Sequence, residues 1–288
     1  MVFGKLKFYF KSFVYGSLIC GCGLYGVLLS IVLRLIGKKE LCQWTVARAF
    51  YHSCNLLLGL KVTIKNEERL NSLPAIIISN HQSAVDVFML GKLFQPGYTV
   101  TAKKVLKYFP FLGWFMALSG TFFIDRAKGS AARKVLEKAL QQVKTEKKGV
   151  FMFPEGTRSG SDKLELLPFK KGAFFLAKDA GVPIIPVVVG NYSTVFHSNS
   201  NTFNRGEILL EVLEPISTAD VETAEDVAAL CEETRAKMQA VYMKLGYAKT
   251  GRSARVEAQE EEEEEPVTDT NTDSEVEVVN EASPLVKK

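Results

Sequence analysis

A run of 22 residues without a charged side chain, from Ser12 to Leu33, places the strongest constraint on how this chain can fold. A helix that rises about 1.5 Å per residue needs about 20 such residues to cross the hydrocarbon core of a bilayer, so this run is long enough. The run is too long for an ordinary signal-peptide apolar region and carries no A-x-A cleavage pattern, so we expect a retained membrane anchor. Basic residues flank it on both sides, which leaves its orientation open and also suits a hairpin that enters one leaflet.

A second apolar helix is predicted from Leu41 to Leu58. Its most polar members, Arg48, His52 and Asn55, recur at i, i+4 and i+7 and form one polar stripe on an otherwise apolar helix. This pattern is typical of a helix that lies in the membrane interface or packs beside the first helix.

Beyond residue 60, short apolar runs alternate with amphipathic helical patterns. Buried strands are predicted at Ala75–Ser79, Thr121–Ile124, Val150–Phe153 and Ile184–Gly190, and edge or additional strands at Leu60–Lys65, Tyr98–Ala102 and Glu207–Leu213. Amphipathic helices are predicted around residues 132–143 and 227–245. A third apolar region, Tyr108 to Ile124, is short for a span, and we expect a membrane-facing loop and helix before its strand. The alternation predicts an α/β domain with a mostly parallel sheet.

Charge is divided unevenly along the chain. Of 36 basic and 32 acidic residues, two basic and 12 acidic ones lie from Glu257 onward, so the first 256 residues carry a formal charge of +14. A body this basic suits an anionic partner such as a membrane surface or a phosphorylated substrate. Nucleic acid is not expected, because the basic residues are not interleaved with aromatics in a known module.

From about Arg252 the apolar pattern stops, and the acidic run Glu260–Glu265 follows, so a disordered tail is expected. The chain therefore divides into an N-terminal membrane anchor with an interfacial helix (1–60), an α/β domain (61–250) and an acidic tail (251–288). The five cysteines are scattered, form no C-x-x-C pair and have no histidine cluster beside them. We expect a reducing compartment, no disulfide framework and no metal site.

Three of the predicted strands are followed at once by polar, reactive sequence. These segments are Asn80–Asp86, Asp125–Arg126 and Pro154–Ser159. In open α/β sheets, ligands bind beyond the carboxyl ends of the strands. If the three strands are parallel neighbours, a histidine, two arginines and several carboxylates meet at one edge of the sheet.

His81 is the candidate proton acceptor, because a histidine can take a proton at physiological pH. Asp86 is the candidate partner that would orient the ring and stabilise its charged form. Five residues turn about 140° on a helix, so the pair requires His81 in the turn before a helix and Asp86 in its first turn. Ser83 is a candidate N-cap of that helix, with a nucleophilic role as the weaker alternative.

The segment Gly156-Thr157-Arg158 suits a phosphate. Glycine lets the backbone approach closely, threonine offers a hydroxyl, and arginine binds an anion bidentately. Glu155 is a candidate to hold this arginine or to bind a substrate hydroxyl. Weaker candidates for contacts with an anionic substrate are Arg126, Lys103 and Lys104.

At these residues the chain resembles the 1-acylglycerol-3-phosphate O-acyltransferase family. The family's motifs N-H-x-x-x-x-D, G-x-x-F-I-D-R, F-P-E-G-T-R-S and V-P-I-I-P-V occur in this order at Asn80–Asp86, Gly120–Arg126, Phe153–Ser159 and Val182–Val187. The resemblance spans about residues 75–190. It implies a mixed sheet flanked by helices that sits on the membrane through the N-terminal helices.

The resemblance also implies a reaction: acylation of the free glycerol hydroxyl of lysophosphatidic acid by acyl-CoA, without a cofactor or metal. His81 would be the general base and Asp86 its partner. Arg158, Gly156 and Thr157 would hold the phosphate, and Glu155, Arg126 and Lys103 would assist substrate binding. A bilayer of the endoplasmic reticulum is the expected location. Glycerol 3-phosphate or another lysophospholipid as acceptor, and a non-catalytic lipid-binding scaffold, remain the alternatives.

Overall fold

The computed structural model describes residues 2–124 and 129–251, with the side chains of residues 3–124, 135 and 137–251. Asp125, Arg126 and the acidic tail lie outside the described residues. The helices are α1 (Val2–Leu35), α2 (Cys42–Leu58), α3 (Asp86–Leu93), α4 (Leu112–Leu118), α5 (Gly129–Glu146), α6 (Gly172–Ala180) and α7 (Ala224–Leu245). The strands are β1 (Leu60–Lys65), β2 (Ala75–Ser79), β3 (Tyr98–Lys103), β4 (Phe122–Ile124), β5 (Gly149–Met152), β6 (Ile184–Val189), β7 (Phe196–His197), β8 (Thr202–Phe203), β9 (Gly206–Val212) and β10 (Lys249–Thr250). Short 3-10 helices cover Lys39–Leu41, Glu67–Asn71 and Lys104–Tyr108.

One mixed, mostly parallel sheet organises the fold, in the order β1-β9-β6-β2-β5-β3-β4, with β10 paired to β9. Strands β6, β2, β5, β3 and β4 run parallel to one another. Strands β1 and β9 run parallel to each other, and β9 is antiparallel to β6. The fold class predicted from the sequence is confirmed.

Both faces of the sheet are covered by helices, which explains why every residue of β2 is buried. On one face, Ile77 belongs to a core with residues of α1, α2 and α3. On the other face, Ile76 and Ile78 pack with residues of α5, α6 and α7. Period-two alternation thus separates the two cores, and the carboxyl end of β2 lies between them.

The predicted strands and helices all occur in the structure, but one detail was wrong. The strand expected to be buried at Thr121–Ile124 is β4, in which Phe122 is buried while Phe123 and Ile124 are half-buried. The reason is its position, because β4 is an edge strand that pairs with β3.

Helix α1 lies along the α/β domain. It packs beside α2 as a helical hairpin and contacts α4 and β8, and its Arg34 donates to the carbonyl of Leu118. Its buried positions lie on one face, at spacings of eight, three, four and three residues: Tyr15, Gly23, Gly26, Ser30 and Leu33. Its large exposed apolar side chains include Phe3, Leu6, Phe10, Phe13, Leu24, Leu28, Ile31 and Leu35. Among the described residues, α1 is the helix long and apolar enough to cross a membrane, yet one face of it is used for packing against the domain.

Candidate active site

His81 lies in the turn between β2 and α3, and Asp86 is the first residue of α3. The two side chains meet, with 2.6 Å between His81 Nδ1 and Asp86 Oδ2. The same oxygen accepts the backbone N–H groups of Gln82 and Ser83 at 2.8 and 3.0 Å. The imidazole ring also stacks on Phe153, with 4.0 Å between ring centroids. The turn therefore fixes the ring and leaves Nε2 as the nitrogen free of the aspartate.

The expectation that Ser83 is the N-cap was wrong, because Val85 occupies that position and makes no side-chain cap. Ser83 Oγ instead accepts the backbone N–H of Val85 at 3.0 Å and lies 2.9 Å from the hydroxyl of Tyr192. The carboxylate of Asp86 accepts the backbone N–H groups of the residues that precede the helix, Gln82 and Ser83. Ser83 is thus engaged in holding the turn.

Tyr192 is a residue that sequence reasoning missed. It follows β6, its side chain is fully buried, and its hydroxyl donates to Asp86 Oδ1 at 2.5 Å. Burial, together with the charge of Asp86, raises the pKa of Tyr192 well above its ordinary value, so this group remains a donor. Both carboxylate oxygens of Asp86 are therefore satisfied. The only signal in the sequence is its place directly after a strand that ends at the same edge as β2.

Two buried amide side chains anchor the turn to the end of β6. Asn80 donates to the carbonyl of Val189 at 2.9 Å and accepts its N–H at 2.8 Å, as a backbone peptide group would. Gln82 donates to the carbonyls of Val189 and Gly190 and accepts the N–H of Tyr192. Gln82 thus acts on the loop, since its amide is occupied by backbone groups.

Glu155 lies beneath the turn. It is 3% exposed, and its Oε1 accepts the backbone N–H of His81 at 2.8 Å. Its Oε2 is buried and has no hydrogen-bond partner among the described residues. Burial, opposed by the His81 N–H and reinforced by the charge of Asp86, raises the pKa of Glu155 to about 7. Its carboxyl group contacts the His81 backbone and not the side chain of Arg158.

The loop after β5 pairs with the histidine turn through the backbone. The N–H groups of Ser159 and Gly160 donate to the carbonyls of His81 and Gln82 at 2.8 and 3.0 Å. Gly156 has a φ of +72°, which a residue with a side chain rarely adopts. This pairing sets the loop against the histidine turn, as expected for neighbouring parallel strands.

A cavity of about 440 Å³ opens beside His81, which is a typical size for a small-molecule site. Its lining is mostly apolar and comes from α1, α2, α3, β3 and α4. The exposed members of the lining mark where it opens: Val87, Lys103, Val105, Thr157 and Arg158. Lys103, Thr157 and Arg158 are thus brought to the cavity that His81 also lines. Arg126 lies outside the described residues.

Helix α1 contacts this site directly, which the sequence did not indicate. Tyr15 is buried among Phe50 and Phe203, and its hydroxyl donates to the carbonyl of Ala84 at 3.0 Å. Ala84 belongs to the turn between His81 and Asp86. The N-terminal helix is therefore part of the support of the site.

The family model described as Acyltransferase matches residues 61–190, the part of the chain that contains the histidine–aspartate pair. The chain is 49% identical to the 1-acyl-sn-glycerol-3-phosphate acyltransferase of Saccharomyces cerevisiae over 86% of this chain and 81% of the yeast protein. It is 33% identical to the human 1-acyl-sn-glycerol-3-phosphate acyltransferase beta over 83% of this chain and 84% of that protein. The chain belongs to the 1-acyl-sn-glycerol-3-phosphate acyltransferase family.

The fold has a solved counterpart. The crystal structure of the 1-acyl-sn-glycerophosphate (LPA) acyltransferase from Thermotoga maritima superposes with a TM-score of 0.64. The match covers 83% of this chain and 95% of that chain, at 24% sequence identity. This likeness supports the fold.

Proposed function

We propose that the protein transfers an acyl group from acyl-CoA to the free glycerol hydroxyl of lysophosphatidic acid, giving phosphatidic acid and CoA. The observation that carries this proposal is the position of the His81–Asp86 pair at an apolar cavity whose opening also holds Arg158. The acceptor and the donor are both amphiphilic anions, so each needs an apolar channel beside cationic groups. Family membership supports the same reaction.

His81 acts as the general base. Its Nδ1 is held by Asp86, so Nε2 accepts the proton of the glycerol hydroxyl as that oxygen attacks the thioester carbonyl. The carbon–sulfur bond then breaks, and the sulfur of CoA leaves with the proton that the imidazolium returns. Asp86 stabilises the imidazolium between these two steps. No covalent enzyme intermediate, metal or cofactor is needed.

Arg158 binds the phosphate of the acceptor, with Thr157 and Lys103 beside it on the same opening. Gly156 lets the loop turn so that the side chains of Thr157 and Arg158 reach the opening. Glu155 acts through the backbone of His81 and not on the substrate. For Arg126, a contact with the acceptor stays a prediction from the sequence.

The acyl chain lies in the cavity between the N-terminal helices and the sheet, because its lining is apolar and begins at His81. The outward apolar side chains of α1 lie in lipid, and the buried side of the same helix holds the domain against one leaflet. This arrangement corresponds to the hairpin that enters one leaflet. We place the enzyme at a membrane, with the endoplasmic reticulum as the proposed compartment.

The test compares CoA release from oleoyl-CoA by the purified protein with three acceptors: lysophosphatidic acid, glycerol 3-phosphate and lysophosphatidylcholine. His81→Ala and Asp86→Asn should abolish the activity with lysophosphatidic acid. His197→Ala is the matched control, because this histidine lies on β7 and pairs with Ser200. Thermal melting of each variant excludes unfolding as the cause.

Each outcome has a distinct meaning. A preference for another acceptor would keep the mechanism and change the substrate. Full activity of His81→Ala would refute the general-base mechanism. A wild-type protein that is folded but inactive with all three acceptors would support a lipid-binding scaffold.

A further inference from the structure

The segment from Lys104 to Leu118 presents apolar side chains to the outside of the protein. It comprises the third 3-10 helix, a short connection and α4. Val105, Tyr108, Phe109 and Trp114 are 59%, 73%, 55% and 54% exposed. We call this segment the rim. Four large apolar side chains exposed within 15 residues form a patch that is unfavourable in water, so their exposure requires an explanation.

The charge of the rim has one sign. From Tyr98 to Ile124 the chain carries three lysines, Lys103, Lys104 and Lys107, and no acidic residue. Tyrosine and tryptophan beside lysines are typical of the interface between lipid headgroups and acyl chains. The lysines complement anionic headgroups, while Phe109 and Val105 match the region just below them.

The rim packs directly against α1. A Cβ atom added at Gly23 would lie 2.9 Å from the backbone nitrogen of Leu112, and one at Gly26 would lie 2.5 Å from the ring of Phe115. The two glycines therefore allow α1 and the rim to approach closely. Leu24 and Leu28, which are exposed apolar side chains of α1, lie in the same stretch of the helix.

The rim also borders the opening of the cavity. Lys103 and Val105 are exposed members of its lining, and Leu106 and Leu112 line it from the inner side of the same segment. A lipid surface that covers the rim would therefore reach the opening beside Arg158.

We propose that the rim is a second docking surface for an anionic lipid membrane, and that it seats the opening of the cavity at the headgroup level. This inference rests on the proposed function for the meaning of the cavity. It differs from anchoring by α1, because it assigns a depth in the membrane to a segment that begins 69 residues after the end of α1. Acyl chains then enter the cavity from the leaflet without crossing water.

The two tryptophans of the chain, Trp44 and Trp114, make a direct test possible. The Trp44→Phe protein keeps Trp114 as its single tryptophan. It is incorporated into vesicles of phosphatidylcholine and phosphatidic acid in which the phosphatidylcholine is brominated along its acyl chains. We expect the Trp114 emission to shift to shorter wavelength, to be quenched by the bromines and to be shielded from iodide in the water.

The matched control places the single tryptophan on the other side of the sheet. Met243 is 62% exposed on α7, and α7 packs on the face opposite α1. In the Trp44→Phe, Trp114→Phe, Met243→Trp protein we expect quenching by iodide and none by the brominated lipid. Lys107→Glu in the Trp44→Phe protein should reduce lipid quenching of Trp114, and more so on anionic than on neutral vesicles.

Quenching of Trp114 by iodide but not by lipid, in protein that floats with the vesicles, would overturn the proposal. That outcome would not contradict anchoring by α1, and it would not affect the result of the activity assay with His81→Ala. Conversely, lipid quenching of Trp114 in a protein that is inactive with every acceptor would retain the docking surface and refute the proposed function. The fluorescence needs no substrate, so the two failures can be told apart.

Discussion

Glu155→Gln isolates the effect of one buried carboxyl group. The glutamine carbonyl can still accept the N–H of His81, as Glu155 Oε1 does at 2.8 Å. The substitution removes the charge that Glu155 acquires when it loses its proton. It therefore separates the structural contact from the ionisation.

The size of the effect follows from the pKa. Burial raises the pKa of Glu155 from 4.5 to about 7. The folded state thus binds this proton more tightly than the unfolded chain, so the stabilisation is complete below pH 4.5 and is lost as the pH rises to about 7. One unit of pKa corresponds to about 1.36 kcal/mol, so the free energy of unfolding falls by about 3 kcal/mol over this range. For a chain of this size, that is about 6–12 °C in Tm.

The assay is thermal melting of the wild type and Glu155→Gln in the same detergent at steps from pH 4.5 to pH 8. The difference in Tm between the variant and the wild type should rise with pH by about 6–12 °C and level off above pH 7. Glu165→Gln, at an exposed position, is the control and should show a constant difference. A constant difference for Glu155→Gln as well would refute the reasoning. Near-normal activity is expected for Glu155→Gln, and loss of activity for Glu155→Ala.

Three further substitutions test the support of the site. Tyr192→Phe leaves Asp86 Oδ1 without its donor at 2.5 Å. A hydrogen bond to a buried charge contributes about 1.5–3 kcal/mol, so kcat should fall about 10- to 100-fold with little change in KM; an unchanged kcat would contradict this role. Gly156→Ala places a side chain at a φ of +72°, a conformation that costs about 1–2 kcal/mol. The KM for the acceptor should rise because the loop shifts. A lower Tm with a normal KM would argue against a role of this loop in acceptor binding. Tyr15→Phe removes the hydrogen bond to the carbonyl of Ala84. Because such a bond contributes about 1 kcal/mol to the free energy of unfolding, the Tm should fall by about 2–4 °C. An unchanged Tm would mean that this contact adds no stability.

The strands could be predicted because local signals and tertiary packing agree. AIIIS predicts β2 with its observed bounds, since a strand covered on both faces is apolar at every position. The helix-turn constraint on His81 and Asp86 was also sufficient, because both residues lie within one turn of chain. Local geometry thus determined the pair.

Other features could not be predicted because their cause lies far away in the chain. The bond between Tyr192 and Asp86 joins residues 106 positions apart, and the place of Tyr192 after β6 does not by itself identify its partner. Helix α6 was missed because Gly172 to Ala177 are uninterrupted small or apolar residues, which hide a helical period. Strands β7 and β8 have two residues each, too few to show alternation.

The packing of α1 along the domain has a consequence for lipid traffic. In the proposed membrane arrangement, α1 has one face on the α/β domain and the other in lipid, so that domain lies on one side of the bilayer. For the proposed reaction, the acceptor is then withdrawn from the same monolayer to which the product returns. Each turnover then adds one acyl chain to that monolayer, so lipid made by this enzyme reaches the opposite monolayer only after separate transfer across the membrane.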